Sequence, residues 1–353
     1  MLERVLVTGI SGFLGSHVAL RLLADGHVVR GSVRAGSQAE RVRGMLARHG
    51  GDTSRLEIVI LDLLDDAGWP AAMADVDYLQ HVASPLAIEA PADRDMLIRP
   101  AVEGTRRALE AALAAGVRRV VLTSSVAAVT YGHPRERTTI FTEADWSAVA
   151  GGDVTPYSEG KTRAELEAWA VMEAAGRRDD LVVVNPAVIL GPLLDDDPGI
   201  SAQLVLRLFD GSVPALAGFH FGIVDVRDVA ALQVRAMQQP RAGGHRYLAS
   251  AGSRSLPDLA AALRDAYPEQ AGRIPRLRLP DWLVRLYAMA DPRVRAHIRS
   301  LGLRRELDCR PAEDLLGRPF ITPRVAAAAT ARSLFDHGLL PDAATGREAE
   351  KRG

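Results

Sequence analysis

Short apolar runs alternate with segments whose apolar side chains recur every three or four positions, and this alternation persists through the first 185 residues of the chain. Val5-Leu6-Val7, with Leu2 ahead of them, form a run of the kind that fills a buried parallel strand. A helical pattern from about Phe13 to Ala24 follows, and then a second strand, Val28 to Val33. A charged helix from Gln38 to His49 leads to a third strand, Leu56 to Leu61, which ends at Asp62. Tyr78 to Val82 reads as the fourth strand, Asp95 to Ala115 as a long helix stopped by Gly116, and Val120 to Ser125 as the fifth strand. A helix beginning near Pro156-Tyr157, with proline in its first turn, and a sixth strand from Leu181 to Asn185 complete the series. Such alternation predicts an α/β fold built on a doubly wound parallel sheet.

From Pro186 onward the pattern loosens. Gly191-Pro192, Asp195 to Gly199 and Ser212-Val213-Pro214 punctuate loops. Helical patterns at about Pro257 to Tyr267, Asp281 to Ala290 and Thr322 to His337 have no regular strand partners. The reading is a first domain over 1–185, with 220–250 returning to it, and a smaller, mainly helical C-terminal lobe from 186–219 and 251–342. Gly222 to Ala230 reads as the strand and helix start that rejoin the sheet, and residues 343–353 form a polar tail with little to bury. Trp282, Leu286 and Met289 lie at helical spacing, as a core stripe does.

Composition narrows the classes. The chain has 353 residues, 48% of them hydrophobic and 25% charged, an ordinary globular balance with room for a substantial core. A net charge of -1 argues against a general nucleic-acid or acidic-membrane partner. No apolar run approaches the roughly 20 residues of a membrane span, and no basic-then-apolar leader precedes the first strand. The single cysteine, Cys309, forms no internal disulfide and fits a reducing cytoplasm. The histidines lack metal-ligand spacing, so zinc catalysis is disfavoured.

The first strand ends in three glycines, Gly9, Gly12 and Gly15, and a helix follows directly. One glycine permits the turn, the next lets backbone approach a pyrophosphate, and the third lets the helix pack close to the strand. The helix then points its unpaired amides at the phosphates. A dinucleotide would sit here in the Rossmann manner, and the strand, helix and second strand of a βαβ unit supply the context that motif needs.

Tyr157 and Lys161 are four apart on one helix and share a face. An unperturbed phenol titrates near 10, and a nearby ammonium favours phenolate, which would make Tyr157 a usable general acid or base. The only lysines are Lys161 and Lys351; every other fixed cation is arginine. Lysine at 161 therefore marks a position that needs a compact point charge. Ser124 and Ser125 end the fifth strand at the carboxyl edge, where open α/β sheets bind ligands.

Taken together, Thr8-Gly9-x-x-Gly12-x-x-Gly15, Thr123-Ser124-Ser125 and Tyr157-x-x-x-Lys161 resemble the extended short-chain dehydrogenase/reductases. Val29 to Arg34, His81-Val82-Ala83-Ser84-Pro85, Asn185-Pro186-Ala187 with Gly191-Pro192, and Val224 to Ala230 resemble the branch of dihydroflavonol 4-reductase and related aldehyde and ketone reductases. The resemblance covers about residues 2–235. It implies that Gly9, Gly12, Phe13, Leu14 and Gly15 contact the pyrophosphate, Asp62 and Leu63 hold the adenine, and Val82, Ala83 and Ser84 line the ribose. It also implies that Tyr157 donates a proton to the carbonyl and that Lys161 binds the nicotinamide ribose while lowering the pKa of Tyr157. Pro186 and Val188 then pack near the nicotinamide, and Ser125 is the catalytic serine with Ser124 its close competitor.

The second strand runs through Ser32 to Arg34 without an acid. A carboxylate there would hold the 2′-hydroxyl of NAD, whereas arginine takes the 2′-phosphate of NADP. NADP(H) is favoured and NAD(H) stays open. Ser84, Leu86, Tyr131 and Phe221, with Ile88, Leu193, Phe209, Phe219 and Trp282, could make an apolar substrate pocket, the first four being the named candidates, and each of the nine is equally well explained as core. The expected activity is hydride transfer to an aldehyde or ketone of dihydroflavonol-like or ketosteroid-like kind, reversible as an alcohol dehydrogenase. An NAD-dependent nucleotide-sugar epimerase or dehydratase and a non-catalytic NADP-sensing protein are the alternatives. The two long helices, Asp95 to Ala115 and Tyr157 to Ala175, also offer a homodimer interface.

Overall fold

The computed structural model describes residues 3–84, 93–291, 294–295 and 298–341. The chain divides into two compact units: Met1–Ala187, Arg227–Ala249 and Leu307–Pro319 form the first, and Val188–Val226, Ser250–Glu306 and Phe320–Gly353 the second.

In the first unit β1 (Arg4–Thr8), α1 (Phe13–Ala24), β2 (Val28–Val33), α2 (Ala39–Arg48), β3 (Leu56–Ile60), α3 (Trp69–Met73) and β4 (Tyr78–His81) follow in turn. Next come α4 (Asp95–Ala114), β5 (Arg119–Thr123), α5 (Pro156–Ala174) and β6 (Leu181–Pro186). With β9 (Arg246–Ala249), the strands form a seven-stranded sheet in the order β3-β2-β1-β4-β5-β6-β9. All its pairings are parallel. β1 pairs with both β2 and β4, Val5 lying opposite Val29 on one side and Tyr78 on the other. The direction of winding reverses there, which is where such sheets open a crevice beyond their carboxyl ends.

Helices cover the sheet, so its strands carry consecutive buried residues rather than an alternation. Leu6, Leu79, Val120, Leu122, Leu181 and Val183 pack against Trp69 and Met73, Leu109 and Ala112, and Ala168 and Met172. The start of α5 is fixed locally. Thr155 accepts a hydrogen bond from Ser158 N at 3.1 Å, Ser158 Oγ accepts one from Thr155 N at 2.8 Å, and Pro156 opens the first turn.

The segment Gly222 to Ala230 does not rejoin the main sheet as a strand. β8 (His220–Asp225) instead pairs with β7 (Val188–Leu190) and β10 (Ser253–Ser255) in a separate three-stranded sheet. The chain re-enters the first unit through α7 (Val226–Gln238) and β9, a four-residue strand that begins with a buried arginine and so lacks an apolar signature. Alongside its sheet the second unit carries α6 (Gly199–Phe209), α8 (Leu256–Ala266), α9 (Asp281–Ala290) and the helix Pro323–Asp336. Phe209, Tyr267 and Phe335 form an aromatic cluster there, with centroids 5.5 to 6.0 Å apart. Phe209 and Leu193 are core residues of that unit.

The stripe Trp282, Leu286 and Met289 shares one face of α9, but that face is the exposed one, at 66%, 52% and 68%. Val284 and Ala288 make the buried face. With apolar side chains on both its buried and its exposed face, α9 has a helical spacing that does not say which side is covered. Among the described residues no helix is long and apolar enough to cross a membrane, and no cluster of histidine, cysteine or acidic residues could hold a metal.

Candidate active site

The glycine turn follows β1. Gly9 adopts φ +70°, and a Cβ on it would meet Ala83 Cβ at 3.0 Å. Gly9 N donates to Ser32 Oγ at 3.2 Å, and Gly12 N donates to Gly9 O at 3.0 Å. A Cβ on Gly15 would stand 2.2 Å from Gly9 O, so only glycine lets α1 begin this close to the turn. No side chain caps the N-terminus of α1 at Gly12. The first-turn amides of Phe13, Leu14 and Gly15 are thus left for an anion, and this cradle fits the pyrophosphate of a dinucleotide.

Thr8 locks the neighbouring strand end to the turn. Its Oγ1 accepts hydrogen bonds from Val82 N and Ala83 N, both at 3.0 Å, and lies 3.0 Å from His81 Nδ1. With its acceptor positions engaged, the hydroxyl proton goes to Nδ1, and His81 is neutral with its proton on Nε2. Burial, helped by the charge of Lys161, pushes His81 down to about 3. Its folded pKa thus lies below the unfolded value near 6.5. Above that value the group has no effect on stability. As pH falls from about 6.5 toward about 3, the unfolded chain takes up a proton that the folded one refuses, and stability falls by about 1.4 kcal/mol per pH unit. Urea unfolding at about pH 7 and about pH 5 will show a smaller acid loss in His81→Asn than in the natural chain.

Ser125, Tyr157 and Lys161 come together beyond the carboxyl end of β5. Ser125 is extended, its Oγ accepts Ala127 N at 3.1 Å and donates to Pro186 O at 3.4 Å, and its hydroxyl is near enough to the Tyr157 phenol to favour the ionised form. Tyr157 is half-buried. Burial raises its pKa above the ordinary tyrosine value, the nearby Ser125 hydroxyl opposes that shift, and electrostatic repulsion from Tyr131 adds to it. One turn on, Lys161 is 8% exposed and donates to Thr123 O at 3.2 Å. Burial pushes Lys161 down to about 8, and Glu165 works against that shift. The expectation that Lys161 lowers the pKa of Tyr157 is therefore corrected. The ammonium serves the Thr123 carbonyl, and desolvation dominates the phenol.

Ser124 is placed differently. Its Oγ donates to Glu165 Oε2 at 2.5 Å, inside a buried cluster. Arg34 is exposed just past β2, and Asp62, just past β3, accepts Leu64 N at 2.9 Å. Leu63 faces Gly104 of α4, while Ser84 is half-buried and Pro186 closes β6. Val188 opens β7 and Phe221 is half-buried in β8, both in the second unit. Leu86 and Ile88 lie outside the described residues. Glu165, Asn185 and Arg246 were missed by sequence reasoning. The one signal available was the four-residue step Tyr157, Lys161, Glu165 along α5.

Residues 5–250 match the model of the NAD dependent epimerase/dehydratase family. The chain is 36% identical over 267 residues to cinnamoyl-CoA reductase 1 of Petunia hybrida, covering 75% of this chain and 78% of that one. It is 33% identical over 274 residues to tetraketide alpha-pyrone reductase 2 of Arabidopsis thaliana, covering 76% and 84%. Among solved structures, yeast methylglyoxal/isovaleraldehyde reductase Gre2 complexed with NADPH superposes with a TM-score of 0.78 at 26% identity, covering 95% of this chain and 99% of that one. The chain belongs to the NAD-dependent epimerase/dehydratase family, the extended short-chain dehydrogenase/reductases, and is an NAD(P)-dependent reductase of the branch that holds the cinnamoyl-CoA reductases.

Proposed function

We propose that the protein is an NADPH-dependent reductase of aldehydes or ketones carried on medium-sized, largely apolar molecules, reversible as an alcohol dehydrogenase. The neighbouring Ser125 and Tyr157 side chains, with Lys161 buried one helical turn away, carry this reading. When bound, the nicotinamide supplies the hydride that the carbonyl carbon accepts. Tyr157 gives its proton to the carbonyl oxygen, and its raised pKa keeps that proton available through neutral pH. Ser125 donates a hydrogen bond to the same oxygen, steadying the charge that develops there. Ser125 is favoured over Ser124 because the Ser124 hydroxyl is committed to Glu165. Lys161 holds the nicotinamide ribose. Gly9, Gly12, Phe13, Leu14 and Gly15 cradle the pyrophosphate, Asp62 and Leu63 flank the adenine, and Val82, Ala83 and Ser84 follow the ribose.

Arg34 supports the choice of NADPH, standing exposed where an acid would select NAD. Arg34→Ala will lower kcat/KM for NADPH roughly ten- to hundredfold, the worth of a charge-assisted hydrogen bond, and leave that for NADH nearly unchanged. The relatives named for methylglyoxal, isovaleraldehyde and cinnamoyl-CoA reduction support a carbonyl substrate. Loss of absorbance from NADPH and from NADH, over a panel of aryl aldehydes, diketones, flavanonols and ketosteroids, tests the reading. Conversion of a UDP-sugar without net consumption of NADPH would replace it with an epimerase.

A further inference from the structure

Glu165 is fully buried, yet its carboxylate is the junction of three strands. Oε2 accepts Ser124 Oγ at 2.5 Å from the end of β5 and Asn185 Nδ2 at 2.7 Å from β6. Oε1 accepts Arg246 Nε at 2.5 Å from β9. Asn185 Nδ2 also lies 3.2 Å from the carbonyl of Ser125. The arginine is held in turn by the carbonyls of Glu143 at 2.8 Å and Asp145 at 2.7 Å, and lies 3.7 Å from the Trp146 ring centroid.

From these contacts we propose that Glu165, braced by Arg246, is a positioning residue that sets the backbone of Ser125 and the field at Lys161 for carbonyl reduction. The inference rests on the reading of Ser125, Tyr157 and Lys161 given above. A buried ion pair is a poor way to gain stability, because hydrophobic residues of equal volume often do as well or better. Here, however, an apolar side chain at 165 would strand the Ser124 hydroxyl and leave Asn185 free to turn away from Ser125 O. The stripe Tyr157, Lys161, Glu165 places acid, ammonium and carboxylate at successive turns on one side of α5. Two titratable groups act on Lys161: Glu165 from its own helix favours the ammonium, and His81 from β4 is neutral and does not compete. Thr123 O from β5 accepts its proton.

The test compares natural chain, Glu165→Gln, Glu165→Asp, Asn185→Ala and Tyr157→Phe in steady-state carbonyl reduction across pH, with thermal melting and NADPH fluorescence as checks on folding and binding. Glu165→Gln should lose roughly ten- to hundredfold in kcat with KM nearly unchanged, as expected for a group whose effect falls on the transition state rather than on substrate binding. The alkaline limb of its kcat profile should move to lower pH, since Lys161 loses its counter-charge. Glu165→Asp, which keeps the charge, should restore the limb and part of the rate. If Glu165→Gln fails to fold, Asn185→Ala decides: it should lose kcat without moving the limb, because the ion pair remains. A folded Glu165→Gln with natural kcat and natural limb overturns the proposal, as does an Asn185→Ala with natural kcat. Should the natural chain reduce carbonyls and Tyr157→Phe abolish it, such a result removes the positioning role alone. A natural chain inactive on the whole carbonyl panel overturns both readings.

Discussion

Tyr157→Phe lowers kcat/KM for carbonyl reduction about a thousandfold, within the range that general acid catalysis supplies, and leaves thermal unfolding and NADPH binding close to those of the natural chain. The change removes one hydroxyl from a half-buried ring, so packing is kept. What disappears is the phenol hydroxyl beside Ser125, the proton donor of the proposed reaction. Because burial raises the phenol, Tyr157 is protonated at neutral pH, and reduction proceeds there without waiting on a minor ionisation state. The reverse reaction needs the phenolate, so alcohol oxidation should climb with pH toward the alkaline range while reduction does not. Parallel profiles in the two directions would contradict this assignment of the acid.

Arg246→Ala destabilises the fold by about 3–5 kcal/mol, the cost of breaking a buried pair from one side, as read by urea unfolding. Its partner Glu165 is fully buried and would be left without its ion-pair partner. The same substitution removes the ties to the Glu143 and Asp145 carbonyls and the stacking on Trp146. A loss below about 1 kcal/mol, the scale of an exposed pair, would mean that water reaches this cluster.

The sheet was legible because its strands are buried on both faces and therefore read as apolar runs, from Val5-Leu6-Val7 to Leu181–Asn185. The glycine turn was legible for a steric reason, since Gly9 and Gly15 leave no room for a Cβ. Lys161 stood out because arginine fills nearly every other cationic position. β9 escaped notice because its first residue is an arginine buried by ion pairing rather than by apolarity. The stripe on α9 had the right period and the opposite face, since hydrophobicity does not encode direction where Val284 and Ala288 suffice for the buried side. Choosing between Ser124 and Ser125 required Glu165, forty-one residues away from Ser124 along the chain. The Tyr157 pKa also depends on depth: a lysine four residues on predicts a lowered phenol, and burial reverses the sign.

The most direct test of the account follows deuterium from NADPH labelled at the transferable carbon of the nicotinamide, in each of its two stereochemical forms, during reduction of an aryl aldehyde or ketone. Direct hydride transfer predicts that one labelled form deposits deuterium on the carbinol carbon of the product, with one cofactor consumed per product, and that the other form deposits none. Product without label from either form, or turnover of a sugar nucleotide with the cofactor unconsumed, would contradict it.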